Sequence, residues 1–86
     1  MELLKLRKKI DQLDGELLSI LAKRMKVSKE IAKYKKKYAL PIQHKKREAE
    51  VLQDRIRKGK KIGLPDQKFV TELFKLIMKE SRKLQK

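Results

Sequence analysis

A set of polar side chains stands at or beside positions where the helical pattern of this sequence calls for apolar residues. Arg24 interrupts an apolar stripe, and Lys35 follows eleven residues later on nearly the same helical face. Most members are cationic hydrogen-bond donors and one is a carboxylate; the set is Arg7, Arg24, Lys35, Arg47, Glu48, Ser81 and Gln85. Facing inward together, these groups would form a pocket for a small dianion that carries a hydroxyl group.

Each member also has an ordinary structural explanation. Arg24 could form an ion pair with a carboxylate such as Glu48, because an uncompensated buried charge costs several kcal/mol. Lys35 could be a solvated lysine in a basic run, and Ser81 and Gln85, which share a helical face, could be polar residues at a helix end.

Arg7 flanks the stripe about 25 Å along the helix axis from Arg24, too far to share a small ligand within one chain. It can approach Arg24 only across an antiparallel dimer.

Other kinds of site find little support in the composition. The sequence has no cysteine and a single histidine, His44, so thiolate metal sites, histidine clusters and a Ser/His/Asp triad are not indicated. It also lacks a glycine-rich phosphate loop. A metal site is therefore not expected, and the chemistry should depend on positioning and electrostatics.

A long first helix, from about Glu2 to Lys37, must position three of these groups, Arg7, Arg24 and Lys35. One apolar stripe follows alternating steps of three and four residues: Leu3, Leu6, Ile10, Leu13, Leu17, Ile20, Val27, Ile31, Tyr34 and Tyr38. Such a helix is roughly 50 Å long, far beyond what a compact chain of this size can cover. We therefore expect an intertwined homodimer in which two long helices pack along each other.

Two shorter helices are expected after a turn at Pro41, giving a single all-α domain over residues 1–86 with a long–short–medium order. The second helix should run from about Gln43 to Lys58, with Gly59 as its C-terminal cap. Pro65 is expected in the first turn of the third helix, whose inward face should carry Val70, Leu73, Phe74, Ile77, Met78, Ser81, Leu84 and Gln85.

The formal charge of +15 favours anionic partners, and it is also typical of a lysine-rich surface in heat-adapted proteins. A basic helical nucleic-acid-binding protein is one alternative, supported by runs such as residues 45–47 and 57–61. A purely structural dimerisation helix is another. The chain shows neither a signal-peptide pattern nor a membrane span, which predicts a cytoplasmic protein without membrane contact.

The order and spacing of the polar residues resemble the all-helical chorismate mutases over essentially the whole chain. Arg7-x-x-Ile10-Asp11-x-x-Asp14, Leu17-Leu18-x-x-Leu21-x-x-Arg24 and Lys35 are similar to that family's first helix. Pro41-Ile42 followed by Arg47-Glu48 resembles its second helix, and Phe74-x-x-Ile77-x-x-x-Ser81-x-x-x-Gln85 its third.

The resemblance implies a domain-swapped, all-α homodimer and an isomerase with no cofactor. Its reaction would be the Claisen rearrangement of chorismate to prephenate, in phenylalanine and tyrosine biosynthesis. By analogy, Arg24 and the Arg7 of a second chain would bind the two substrate carboxylates. Arg47 would reinforce the positive field, and Ser81 would help to hold a carboxylate. Lys35 and Gln85 would donate to the ether oxygen, and Glu48 would accept from the ring hydroxyl.

The sequence departs from the family pattern at His44, where many relatives carry an aspartate near the hydroxyl side of the pocket. Gln85 is a second point of difference, because some relatives hold a glutamate there that must be protonated to donate. An amide needs no such proton, so we expect activity that does not require acid. The stripe positions of Arg24 and Gln85 favour the enzyme over the nucleic-acid-binding protein, which needs its cations on exposed faces.

Overall fold

A computed structural model of the protein describes residues 1–85 and contains three helices and no strand within them. The helices are α1 (Glu2–Lys37), α2 (Lys45–Lys61) and α3 (Gln67–Lys83). The predicted all-α architecture of three helices is confirmed, and the predicted bounds of α1 agree with the observed ones. The predicted long–short–medium order is wrong in its last two terms, because α2 and α3 are both 17 residues long.

The end of α1 is built around Ala39, which has a positive φ of 53°. The Leu40 amide donates to the Lys35 carbonyl at 2.8 Å, the backbone bond that closes a Schellman motif. This motif reverses the chain before Pro41, so the residues after the turn lie beside the last turns of α1.

The bounds of α2 differ from the predicted ones at both ends. His44 is the N-cap, where its Nδ1 accepts from the Arg47 amide at 2.9 Å. The prediction that Gly59 caps the other end is wrong, because α2 continues to Lys61 and Gly59 is buried inside it. The positive φ of 94° belongs to Gly63, and the Leu64 amide donates to the Gly59 carbonyl at 2.8 Å.

The start of α3 is fixed by Asp66, whose Oδ1 accepts from the Phe69 amide at 3.1 Å. Pro65 therefore precedes the N-cap and does not lie in the first helical turn as predicted. At the other end α3 stops at Lys83. Gln85 lies in the turn that follows, and its backbone amide donates to the Arg82 carbonyl at 3.0 Å.

The interior of the single chain is small and lies mainly between α2 and α3, which pack against each other more closely than either packs on α1. Its buried apolar side chains are Val51, Val70 and Met78. The chain measures 56 × 24 × 16 Å with a radius of gyration of 16.1 Å. A compact chain of this length would have a radius of about 12 Å, so α1 extends well beyond the rest of the molecule.

The apolar stripe of α1 is uncovered in the single chain. All ten stripe side chains are between 45% and 61% exposed: Leu3, Leu6, Ile10, Leu13, Leu17, Ile20, Val27, Ile31, Tyr34 and Tyr38. We call this set the α1 seam. An exposed apolar strip this long is typical of an interaction surface.

Within residues 1–85, none of the helices has an apolar stretch long enough to cross a bilayer.

Candidate active site

A cavity of about 540 Å³ opens where the C-terminal third of α1 faces α2 and the end of α3. Its wall includes six of the seven side chains singled out in the sequence: Arg24, Lys35, Arg47, Glu48, Ser81 and Gln85. These six come from all three helices and from the turn after α3. Val27, Ile31, Val51 and Met78 supply apolar wall between them.

Arg24 is anchored by a hydroxyl pair at the meeting point of α1 and α3. Its Nη1 donates to Ser81 Oγ at 2.9 Å, and Ser81 Oγ lies 3.0 Å from Ser28 Oγ. Both serines are buried, and small side chains there let α1 and α3 approach closely. The predicted alternative of an Arg24–Glu48 ion pair is not what forms, because Glu48 pairs with Arg82.

Lys35 connects α1 to the loop before α2 and to the turn after α3. Its Nζ donates to the Ile42 carbonyl at 2.7 Å and to Gln85 Oε1 at 3.0 Å. Gln85 Nε2 in turn donates to the Ser81 carbonyl at 3.3 Å. These three bonds keep Lys35 and Gln85 in place even though Gln85 lies beyond the end of α3, and Lys35 is not a freely solvated lysine.

Glu48 projects from the first turn of α2 toward α3. Arg82 Nη1 donates to Glu48 Oε2 at 2.6 Å, and Gln43 Nε2 makes a long contact of 3.4 Å to Oε1. Since Oε2 is engaged by Arg82 while Oε1 has only the long contact, Oε1 is the oxygen available to a donor in the cavity.

His44 and Arg47 lie at the exposed rim of the cavity. His44 is in the loop before α2, and Arg47 is in the first turn of that helix. The His44 ring caps the helix with Nδ1, which must therefore be unprotonated in this arrangement. His44 thus has a structural task as the N-cap of α2, and it also lines the cavity.

Arg7 is the one predicted site residue outside the cavity. It is exposed on the N-terminal part of α1, 17 positions before Arg24. That separation corresponds to about 25 Å of helix, so the single chain does not bring the two arginines together.

Two cavity cations were not assigned a site role from the sequence, Arg55 and Arg82. The helical periodicity of the sequence could have indicated that both side chains face inward. Arg55 comes four residues after the buried Val51, and Arg82 comes four after the buried Met78, so each shares an inward helical face.

The cavity is strongly electropositive. Five cationic side chains line it and only two carboxylates do: Arg24, Lys35, Arg47, Arg55 and Arg82 against Glu48 and Glu50. Burial, and second the charge of Arg55, lower the pKa of Arg24 from its ordinary value. An arginine so placed remains charged, and an anion in the cavity would relieve both the desolvation and the repulsion.

The unused donors decide what the cavity can do chemically. An ammonium has three N–H groups and a primary amide two, so Lys35 and Gln85 each keep one after their intramolecular bonds. Arg24 uses one of its five on Ser81. The cavity therefore offers fixed donors for a carboxylate at one point and for a second oxygen atom at another.

Comparison with known proteins shows which family the chain resembles. The family model for chorismate mutase type II matches residues 6–86. The chain is 33% identical to the chorismate mutase of Methanocaldococcus jannaschii, a match that covers 99% of this chain and 85% of that protein.

Longer relatives match over the same region. The chain is 36% identical to the T-protein of Enterobacter agglomerans and 39% identical to the bifunctional chorismate mutase/prephenate dehydratase of Escherichia coli. These two matches cover 93% and 92% of this chain, but only 21% and 20% of the relatives. The chain therefore spans about a fifth of the length of these two proteins. No solved structure matches the chain significantly. With the family model matching almost from end to end, the chain belongs to the chorismate mutase type II family.

Proposed function

We propose that residues 1–86 form one catalytic domain that converts chorismate to prephenate, as a step toward phenylalanine and tyrosine. The electropositive cavity carries this proposal, because its cations and spare hydrogen-bond donors match a dianionic substrate. The reaction of that substrate depends on how it is positioned and does not need a reactive side chain. In the concerted rearrangement, the ether C–O bond breaks while a C–C bond forms. No atom is gained or lost, so no nucleophile or proton carrier is needed.

The substrate carboxylates would be held by Arg24 and Arg47, with Ser81 beside Arg24. Bidentate guanidinium–carboxylate pairs can fix the flexible enolpyruvyl arm in the compact geometry that reaction requires. Arg7 of a second chain would complete this set across the dimer.

The ether oxygen would receive hydrogen bonds from Lys35 and Gln85. Negative charge grows on this oxygen as the C–O bond breaks, so preplaced donors stabilise the transition state more than the ground state. Their fixed position, with Lys35 Nζ 3.0 Å from Gln85 Oε1, supports this role because little rearrangement is required at the moment of reaction.

The ring hydroxyl would donate to Glu48. Arg82 orients the carboxylate through Oε2 and leaves Oε1 toward the hydroxyl, which supports an acceptor role. Together, positioning and ether-oxygen stabilisation must supply about 8 kcal/mol for a millionfold acceleration, which lies within the range of these two effects.

The direct test is to add the purified protein to chorismate without metal or cofactor and to follow ultraviolet absorbance. Rearrangement removes the conjugated diene of the ring, so we expect a decay with saturable kinetics and prephenate as the product by NMR. A flat trace from a folded dimer would contradict the proposed reaction.

We further propose that the chain works as an intertwined, domain-swapped homodimer. The α1 seam supports this, since its ten side chains are 45–61% exposed in the single chain and need an apolar partner. The recurrence of the seam at steps of three and four residues is also typical of two long helices packing side by side.

We expect Leu13→Lys to weaken the dimer by roughly 100- to 10,000-fold in Kd. Burying a leucine contributes about 1.5–3 kcal/mol, and a symmetric dimer loses two. Sedimentation or light scattering across a dilution series measures the change, and turnover should fall at concentrations where the monomer dominates.

The matched control is Gly15→Lys, which puts the same side chain on the opposite face of the same helix. Gly15 lies off the α1 seam, and in the single chain an added Cβ there meets nothing within 4 Å, so we expect the control to fold and to remain dimeric. Equal dimer affinity for Leu13→Lys and Gly15→Lys would show that the α1 seam is not the interface.

We expect turnover to show no steep loss between pH 5 and 8, because the Gln85 amide donates without being protonated. Gln85→Glu should introduce such a loss, since a carboxylate donates only in its acidic form. Removing one donor of this kind costs on the order of 100-fold in kcat, which we expect near pH 8.

Gln53→Glu makes the same chemical change at an exposed position of α2 and serves as the control. It should keep the wild-type pH profile. A wild type that itself lost activity steeply from pH 5 to 8 would be incompatible with the role given to Gln85.

A further inference from the structure

Arg55 lies on the inward face of α2, although the family resemblance gives it no role. It follows Glu48 by seven residues and Val51 by four, so the three side chains share one helical face. Its side chain is 30% exposed, and it lines the same cavity wall as Arg24.

Two contacts on the protein side hold the Arg55 guanidinium. Arg55 Nη1 donates to Asp54 Oδ2, and its guanidinium carbon lies 5.8 Å from the centre of the Phe74 ring. Stacking over an aromatic ring limits the motion of a guanidinium while leaving its outer N–H groups free. Arg55 is thus preorganised, with most of its five donors unused.

Asp54 does not neutralise this arginine fully. The same carboxylate lies 3.2 Å from Lys58 Nζ and 3.7 Å from Arg57 Nη2, so one negative charge serves three cations. The hydrogen bonds from Arg55 and then Lys58 lower the pKa of Asp54, as expected for a carboxylate surrounded by cations. A surplus of positive charge therefore remains at Arg55.

Arg24 and Arg55 form a like-charged pair on one cavity wall. Among residues 1–85, Arg24 has a hydroxyl partner in Ser81 and no carboxylate within ion-pair distance. Two guanidinium groups that face one cavity repel each other unless an anion neutralises them, and a bound carboxylate would do so.

We propose that Arg55 is a further substrate-binding residue, which shares with Arg24 the binding of one substrate carboxylate. This inference deepens the proposed function and rests on it. It adds a cation from the middle of α2 to Arg47, the cation that the resemblance indicates at the start of that helix. Because a carboxylate is present in both the ground state and the transition state, Arg55 should affect substrate affinity more than the chemical step.

The test compares Arg55→Gln with Arg57→Gln in the full chain. Both variants remove a cation that contacts Asp54, but the Arg57 side chain is 68% exposed and outside the cavity wall. Steady-state kinetics give kcat and KM for chorismate, calorimetry gives the Kd of prephenate, and thermal melting reports stability.

For Arg55→Gln we expect KM and the prephenate Kd to rise about 10- to 100-fold, while kcat changes less than about threefold. For Arg57→Gln, the values of KM, prephenate Kd and kcat should all stay within about twofold of the wild type. Arg55→Lys keeps the charge and the stem over Phe74 but loses the planar fork. Its Kd should therefore be about threefold above wild type and clearly below that of Arg55→Gln.

Equal KM and Kd values for Arg55→Gln and Arg57→Gln would overturn the proposal, even if Arg55→Gln melted at a lower temperature. If Arg55→Gln does not fold, an Arg55→Lys variant with the wild-type Kd would overturn it instead. The wild type separates the two hypotheses: normal turnover with no effect at Arg55 contradicts only this inference. Absence of turnover by a folded wild type contradicts the proposed function and this inference together.

Discussion

Arg24→Ala should lower kcat/KM for chorismate by roughly a thousandfold or more, equivalent to about 4 kcal/mol of lost transition-state stabilisation. The fold should survive, because Ser81 Oγ keeps Ser28 Oγ as a partner at 3.0 Å after the guanidinium is removed. Burial lowers the pKa of Arg24, which means that its charge is disfavoured there, and removing it relieves that cost. Absorbance kinetics and thermal melting measure the two effects.

Lys23→Ala is the control for this experiment. It deletes a neighbouring cation from an exposed position of the same helix, so turnover should remain near the wild-type value. An Arg24→Ala protein that unfolds would identify Arg24 as a structural residue, and a folded variant with normal turnover would remove it from the proposed site.

Mixing two inactive variants, Arg7→Ala and Arg24→Ala, should restore about a quarter of wild-type activity after subunit exchange. With random exchange half of the dimers are heterodimers, and each contains one intact site of two. The recovery follows from the proposed geometry, because an intact site takes Arg24 from one chain and Arg7 from the other. Activity is measured against time after mixing, with exchange followed by fluorescence energy transfer.

The matched control mixes Arg24→Ala with Lys35→Ala. Arg24 and Lys35 line the cavity of the same chain, so no heterodimer of these two variants has an intact site. Recovery is expected only in the first mixture. Confirmed exchange with no recovery in either mixture would contradict a site shared between chains.

Helix content and order were predictable from local pattern. The spacing of apolar residues and the absence of proline between residues 2 and 37 define α1, and the predicted and observed bounds agree. Helix ends were harder, because a cap depends on which backbone amide a side chain reaches. His44 proved to be the N-cap of α2, and the C-terminal reversal uses Gly63, although Gly59 was expected there.

The site was predictable where residue type conflicts with pattern. Arg24, Ser81 and Gln85 stand on apolar stripes, and the structure gathers them with Lys35 at one cavity. Arg55 shares an inward face as well, but sequence periodicity does not say which inward-facing cation meets a cavity and which covers an aromatic ring.

The sequence by itself determined the three helices, the apolar seam of α1 and the identity of six cavity residues, because these depend on local spacing and residue type. Tertiary packing decided which side chains pair with each other. Glu48 pairs with Arg82 and not with Arg24, while Lys35 bridges the Ile42 carbonyl and Gln85. Such pairings depend on how α1, α2 and α3 cross, which brings together side chains 34 and 50 positions apart. No local pattern encodes those distances.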